Sequence, residues 1–258
     1  MNPRIIRWFL VLLIVVFTLV FSLSTFSPGN ERYSASAQPK STPVDGPRDP
    51  FTDLTRYPVV DFDAPLPENT AELQKRQSIS QRYDKQDLVF RNPHPQDGAV
   101  KVHEETEPVD AIPADKCDVI VVGRVNELVA HLSNDKTGVY SEFSIEPEQV
   151  LKDSGPSKVS IGELITADRA GGYVKYSNGQ KVLYVIDGKG LPELGKEYVF
   201  FLASEKSSPN FKVVTVYELP TDEIVPLDEV KNFSQYKSLK KSGFVEAVSK
   251  KVASLGKP

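Results

Sequence analysis

The chain has 258 residues, with 31 Lys and Arg set against 35 Asp and Glu, a formal net charge of −4, 20 prolines and one cysteine. That balance excludes the concentrated basic surface needed to hold phosphate backbones, so no nucleic-acid partner is expected. A single cysteine excludes an internal disulfide, and any folded domain must be held together by burial alone.

The first element is an uncharged stretch of 23 positions from Trp8 to Asn30, preceded by Arg4 and Arg7. At ~1.5 Å per helical residue it reaches about 34 Å, enough to cross a hydrocarbon core of roughly 30 Å. Positive residues ahead of it keep the start in the cytoplasm and send the rest across. The expectation is a single-pass helix in the cytoplasmic membrane, with the bulk of the chain extracytoplasmic. Ala35-Ser36-Ala37 has the small-x-small form of a signal-peptidase site, and a cut after Ala37 would release a secreted chain starting at Gln38. The apolar run exceeds the about 7–15 residues of a signal-peptide core, which favours a retained anchor.

Eight prolines fall between Pro28 and Pro67. Each removes a backbone donor and fixes φ, so this stretch reads as an extended, disordered tether. From Glu68 to Asp84 the prolines stop and helix formers take over, with Leu73, Ile79 and Tyr83 as a thin apolar stripe, which predicts a marginal helix.

Beyond Leu88 the periodicity becomes that of strands. Leu88-Val89-Phe90 is expected to open the sheet. Val119 to Leu132 is too β-branched for a helix, and Gly123 within it marks a bulge or bend. Turn residues from Ser133 to Gly138 then lead into Val139 to Glu146, a hairpin. Lys158 to Ala167, with Val159 and Ile161 on one face, is the next predicted strand, and Gly171-Gly172 breaks the chain. Tyr173 to Tyr176 turns through Ser177-Asn178-Gly179 into Lys181 to Ile186, and Asn-Gly suggests a type I′ turn with φ > 0 at both central positions. Tyr198 to Leu202 and Phe211 to Tyr217 complete a set of about seven strands. Phe244, Val248, Val252 and Leu255 recur at helical spacing, and Gly256 is placed to stop that helix.

The succession Ala114 to Val125 (ADKCDVIVVGRV), Gly138 to Lys152 (GVYSEFSIEPEQVLK), Ala170 to Val174 (AGGYV), Leu191 to Leu202 (LPELGKEYVFFL) and Phe211 to Leu219 (FKVVTVYEL) resembles a group of uncharacterised exported bacterial proteins. The layout also resembles the oligonucleotide/oligosaccharide-binding (OB) barrel, in the variant of netrin-like modules and tissue inhibitors of metalloproteinases. That resemblance implies a small five-stranded Greek-key barrel, with Gly123 and Gly171-Gly172 at its bends. The inhibitory chemistry of those relatives does not carry over, because it needs a disulfide-locked N-terminal cysteine on zinc, whereas Cys117 is internal and unpaired.

The residue types that carry chemistry do not converge in the sequence. His94, His103 and His131 are the three histidines, and none has a metal-type partner at i+4. His94 and His131 are expected to face solvent. Cys117, just ahead of Asp118 to Val122, is expected as a small buried hydrophobe. Ser238 to Lys241 matches Ser-x-x-Lys without the companion motifs of a cell-wall enzyme. Asp61/Asp63, Asp222/Glu223 and Asp228/Glu229 lie in connecting segments, where carboxylates face water. Gly188 and Gly190 read as a hairpin turn, since no helix follows whose N-terminus could hold phosphate. Tyr173, Tyr176, Tyr184, Tyr198 and Tyr217 are expected mostly in the core, with a sugar-stacking surface as the alternative.

The division expected is therefore 1–30 signal anchor or signal peptide, 31–84 Pro-rich tether with a marginal helix, 85–230 OB-like barrel, and 231–258 helical tail. The fold class is mainly β. The functional expectation is a non-enzymatic, membrane-tethered module binding an envelope protein, peptide or glycan, with no cofactor, no metal and no catalytic residue. A hydrolase with a site dispersed over loops, and a purely structural envelope protein, are the alternatives.

Overall fold

The computed structural model describes residues 57–89, 98–104, 107–206 and 208–256. The stretch read as a membrane segment, the possible cut after Ala37, most of the stretch read as a tether, and His94 lie outside the described residues. Within them, no helix is long and apolar enough to cross a membrane.

In chain order the elements are β1 (Val59–Asp61), α1 (Thr70–Ser80), β2 (Gly98–Val102), β3 (Val119–Leu132), β4 (Val139–Asp153), β5 (Ile165–Ala170), β6 (Gly172–Lys175), β7 (Lys181–Ile186), β8 (Glu197–Ala203), β9 (Phe211–Glu218), β10 (Val225–Pro226) and α2 (Lys241–Leu255). Five strands close a barrel in the circuit β8-β3-β4-β5-β9, with β9 returning to β8 and β10 added at β9. All these barrel pairings are antiparallel except β5 with β9, which run parallel over Ala167↔Phe211 and Asp168↔Lys212. A second sheet has the order β1-β6-β7-β2, and both of its outer strands run parallel to their neighbours.

The long β3–β4 hairpin bends because its register shifts between Val122 and Gly123 and again between Val125 and Glu127. Gly123 sits at the first of these, where a Cβ would lie 2.7 Å from the Glu146 carbonyl oxygen, so only glycine lets the strands approach. Alternation then makes two apolar layers from one set of strands. Val121, Phe143, Ile145, Ala167, Tyr198, Phe200 and Leu202 fill the barrel, and Ile120, Val122, Val199, Phe201 and Tyr217 point outward beneath Phe244 and Val248 of α2. Phe244 and Val248 are fully buried while Leu255 is 44 % exposed, so the first three turns of α2 carry its packing. The expected mainly-β barrel with a C-terminal helix is what forms.

Several local expectations are corrected. Val59–Asp61, inside the stretch read as tether, is a strand. Val60 is buried, and the Phe62 N–H donates to the Lys175 carbonyl at 2.8 Å. The flanking prolines are tolerated because β1 is an edge strand. Leu88 and Val89 are buried without joining a sheet, and the strand of that region is β2. Of the expected strand Lys158 to Ala167, only Ile165 to Ala167 is extended, as the start of β5; Ser160 to Glu163 forms a turn, with the Gly162 N–H on the Pro147 carbonyl and Ile161 68 % exposed. The β6–β7 turn is not type I′. Gly179 alone has positive φ (85°), its N–H bonds the Tyr176 carbonyl, and the Asn178 side chain accepts from the Gln180 N–H at 2.9 Å. That is a three-residue loop with glycine in the left-handed position. The marginal helix is present as α1, started by Asn69, whose side chain accepts from the N–H groups of Ala71 and Glu72.

Candidate functional site

The site grows from a feature of β5: its middle residues, Asp168 and Arg169, are adjacent charges, and both are buried, at 0 % and 4 % exposure. Successive strand side chains point to opposite faces, so the two need separate counter-charges.

On the outer face, α1 and the 3₁₀ turn Gln81–Tyr83 lie over β4 and β5. The Tyr83 ring stacks on Tyr140 at 4.4 Å, and Tyr140 shares a 2.9 Å hydrogen bond with Ser80. This seats the Tyr83 hydroxyl to donate to Asp168 Oδ1 and Arg82 Nη2 to donate to Oδ2. Arg82 Nη1 reaches Glu205 Oε2 at 3.1 Å, so one guanidinium bridges two carboxylates. Burial pushes the Asp168 carboxyl above its ordinary range, against the pull of Tyr83 and Arg82. Burial, then Asp168, raise the Tyr83 phenol further above its usual value, so it stays a neutral donor. Burial would lower the Arg82 guanidinium, but Asp168 and Glu205 more than offset it and the group stays charged.

On the inner face Arg169 caps the barrel mouth. It pairs bidentately with Asp228 at 2.6 and 2.7 Å and donates to the Gly190 carbonyl at 2.7 Å. Asp228, expected in water, is instead 8 % exposed, while Glu229 remains exposed. Leu227 and Asp228 are held against the Gly188–Gly190 turn: Glu229 N–H bonds the Gly188 carbonyl at 2.7 Å and Gly190 N–H the Leu227 carbonyl at 2.8 Å. That turn joins the two sheets rather than closing a hairpin, because β7 does not pair with β8.

Beyond Asp168 and Lys212 the strands β5 and β9 part, and a cavity of about 300 Å³ opens there. Arg82, Tyr83, Gln86, Glu104, Arg169, Lys189, Glu205 and Lys212 contribute its polar lining. Lys189 meets Glu104 at 3.0 Å and Lys212 meets Glu205 at 4.0 Å. Among the described residues, three polar atoms of these side chains have no hydrogen-bond partner, and each is covered by its neighbours rather than open to the cavity: Arg82 Nε, Arg169 Nε and Gln86 Oε1.

The residues singled out from sequence fall elsewhere. His103 is exposed, 3.9 Å from Asp187. His131, expected in solvent, is half-buried against Tyr140 at 5.2 Å, and burial, helped by Arg76, lowers it to about 4. Cys117 is buried as expected, and burial pushes its thiol up to about 12, so it offers no thiolate at neutral pH. Ser238 is exposed, and the Lys241 ammonium is taken by Glu197. The five core tyrosines are all buried, as expected. Asp61, Asp63, Asp222 and Glu223 are exposed. Among the described residues no group of three His, Cys, Asp or Glu is placed to hold a metal ion.

Sequence reasoning missed Arg82, Asp168, Arg169, Glu205 and Asp228. The available signal was Ala167-Asp168-Arg169-Ala170, two neighbouring charges between alanines in a strand. Their counter-ions lie 86 residues upstream and 59 downstream, beyond any motif spacing. No protein-family model and no curated protein matches the chain.

Proposed function

We propose that this protein is a non-enzymatic binding module of the OB type, held outside the cytoplasmic membrane by residues 8–30 and taking its ligand in the cavity where β5 and β9 part. The observation that carries the reading is the cavity of about 300 Å³ itself, whose wall gathers the side chains of Arg82, Tyr83, Gln86, Glu104, Lys189 and Lys212 where two barrel strands part. The circuit β8-β3-β4-β5-β9, with its one parallel pairing, supports the OB assignment. The uncharged leader behind Arg4 and Arg7 supports the tethering.

A hydrolytic reading has one observation in its favour, the approach of Asp168 and Glu205 through Arg82. Hydrolysis by paired carboxylates needs one of them free to take or give a proton. Both oxygens of Asp168 are engaged and its side chain is fully buried, which supports binding over catalysis.

The test uses the full chain carrying a photo-crosslinking residue at Gln86 and a C-terminal tag, expressed in bacteria. The binding reading expects the protein in the membrane fraction with an uncut N-terminus, its tag open to protease from outside. It also expects one discrete envelope species crosslinked on illumination. A soluble cytosolic product would overturn the tethering, a start at Gln38 the anchor, and the absence of any crosslinked species the binding role.

A further inference from the structure

Arg82, Tyr83 and Gln86 reach the cavity from a single stretch of chain, α1 and the turn that follows it. That stretch is held by little apolar surface: its buried side chains Ile79 and Tyr83 share a small cluster with Tyr140, distinct from the larger clusters that fill the barrel and the second sheet. The other attachments are polar. They are the Ser80 bond to Tyr140, Asn134 Nδ2 donating to the Gln77 carbonyl at 3.0 Å, and the Arg82 bridge to Asp168 and Glu205. Segments with few buried apolar contacts open without the whole fold opening.

His131 lies under this stretch. Alternation along β3 turns Ala130 and Leu132 into the cluster of the second sheet and His131 to the opposite face, where its ring is 5.2 Å from that of Tyr140. Ser80 meets the same tyrosine, and Arg76, half-buried, stands one helical turn before Ser80 on that face of α1, which brings its charge to the imidazole. The ring thus faces the Arg76 guanidinium from α1 and the Tyr140 phenol from β4. The nearby carboxylates are already taken: Glu142, next on that face of β4, accepts from Asn210 Nδ2 at 2.6 Å, and Asp168 accepts from Arg82 and Tyr83. Among the described residues neither His131 nor Arg76 makes an ion pair. A proton on His131 would sit, partly out of water, beside a like charge with no anion to meet it.

Resting on the binding reading above, we propose that α1 and the turn after it are an acid-released strap: protonation of His131 drives them off β3 and β4, and the cavity loses Arg82, Tyr83 and Gln86 from its wall. Burial, then Arg76, hold the imidazole of the seated strap down to about 4, so the lifted state, with its ring in water, takes up the proton first as pH falls below about 6.5. Asp168 works the other way. Burial raises its carboxyl, so through that group acid favours the seated strap, and comparison with a chain lacking the imidazole isolates His131.

The experiment is hydrogen exchange of the full chain in detergent micelles, read by mass spectrometry between about pH 7.5 and 5 and divided by the intrinsic rate at each pH. Peptides from Thr70–Tyr83 report the strap and peptides from Val119–Val125 the barrel. The strap's opening constant should exceed the barrel's by at least about a hundredfold, the mark of local opening. Relative to His131→Phe, it should rise about tenfold in the wild type from pH 7.5 to 5, the linkage of His131 discounted for the partial exposure of its ring. His131→Gln, a second neutral variant, should match His131→Phe. Equal pH dependence in the wild type and both variants would overturn the strap, and so would opening constants that coincide with the barrel's at every pH. Crosslinking from Gln86 keeps this inference apart from the reading beneath it. Undiminished capture of an envelope species at pH 5 would overturn the release alone, whereas no capture at either pH would overturn the binding role and leave the exchange result standing.

Discussion

Burial sets the chemistry of His131 and of the Arg169–Asp228 pair in different ways. His131 is held neutral, its pKa lowered from 6.5 to about 4 by desolvation and Arg76. The unfolded chain therefore takes up a proton that the folded chain refuses as pH falls below 6.5, and stability drops from there until pH 4, where both states are protonated. The loss should be about 2 kcal/mol, discounted for the partial exposure of the ring, and His131→Gln should flatten it in urea melts between pH 7 and 4. The Arg169–Asp228 pair behaves differently, because neither partner can reach water. Arg169→Met should cost about 3–5 kcal/mol by leaving Asp228 buried without a counter-charge, with only the Gly190 N–H at 3.3 Å to meet it, and adding Asp228→Leu should recover much of the loss, read from denaturation midpoints. If the single and double variants lose the same stability, the pair is not what closes the barrel mouth.

At the scale of elements, legibility followed locality. The β3–β4 and β6–β7 hairpins and α2 were readable because their apolar period, turn residues and stop signals all lie within a few residues of one another. β1 and β2 were not readable, since both are short edge strands specified by parallel partners over 80 residues downstream. The same distance hid the site. Arg82 on the turn after α1, Asp168 on β5 and Glu205 after β8 are brought together only by tertiary pairing. α2 offers a clean test of what its own pattern implies. Phe244→Ala should destabilise by about 3–5 kcal/mol, because Phe244 is fully buried against Tyr217 at 4.7 Å and Tyr236 at 5.8 Å. Leu255→Ala, in the exposed last turn, should change stability by less than about 0.5 kcal/mol in the same melts.

For the molecule as a whole, the barrel strands and the second sheet differ in how far apart their partners lie in sequence. β3 reaches β4 across a six-residue turn, whereas β1 must find β6 and β2 must find β7 across most of the barrel. Contacts of such separation form late, because the loop must be closed before pairing rewards it. In pulsed hydrogen exchange during refolding, the amides of Val121 and Phe143 should become protected before those of Val60 and Val100, and simultaneous protection would refute that order. During synthesis the consequence is sharper still. The ribosome delivers β1 and β2 long before the hairpin that receives them, so the earliest-made strands wait longest for a berth, and for that interval two strand-forming segments pass through the cell with their backbone edges open to any neighbouring chain.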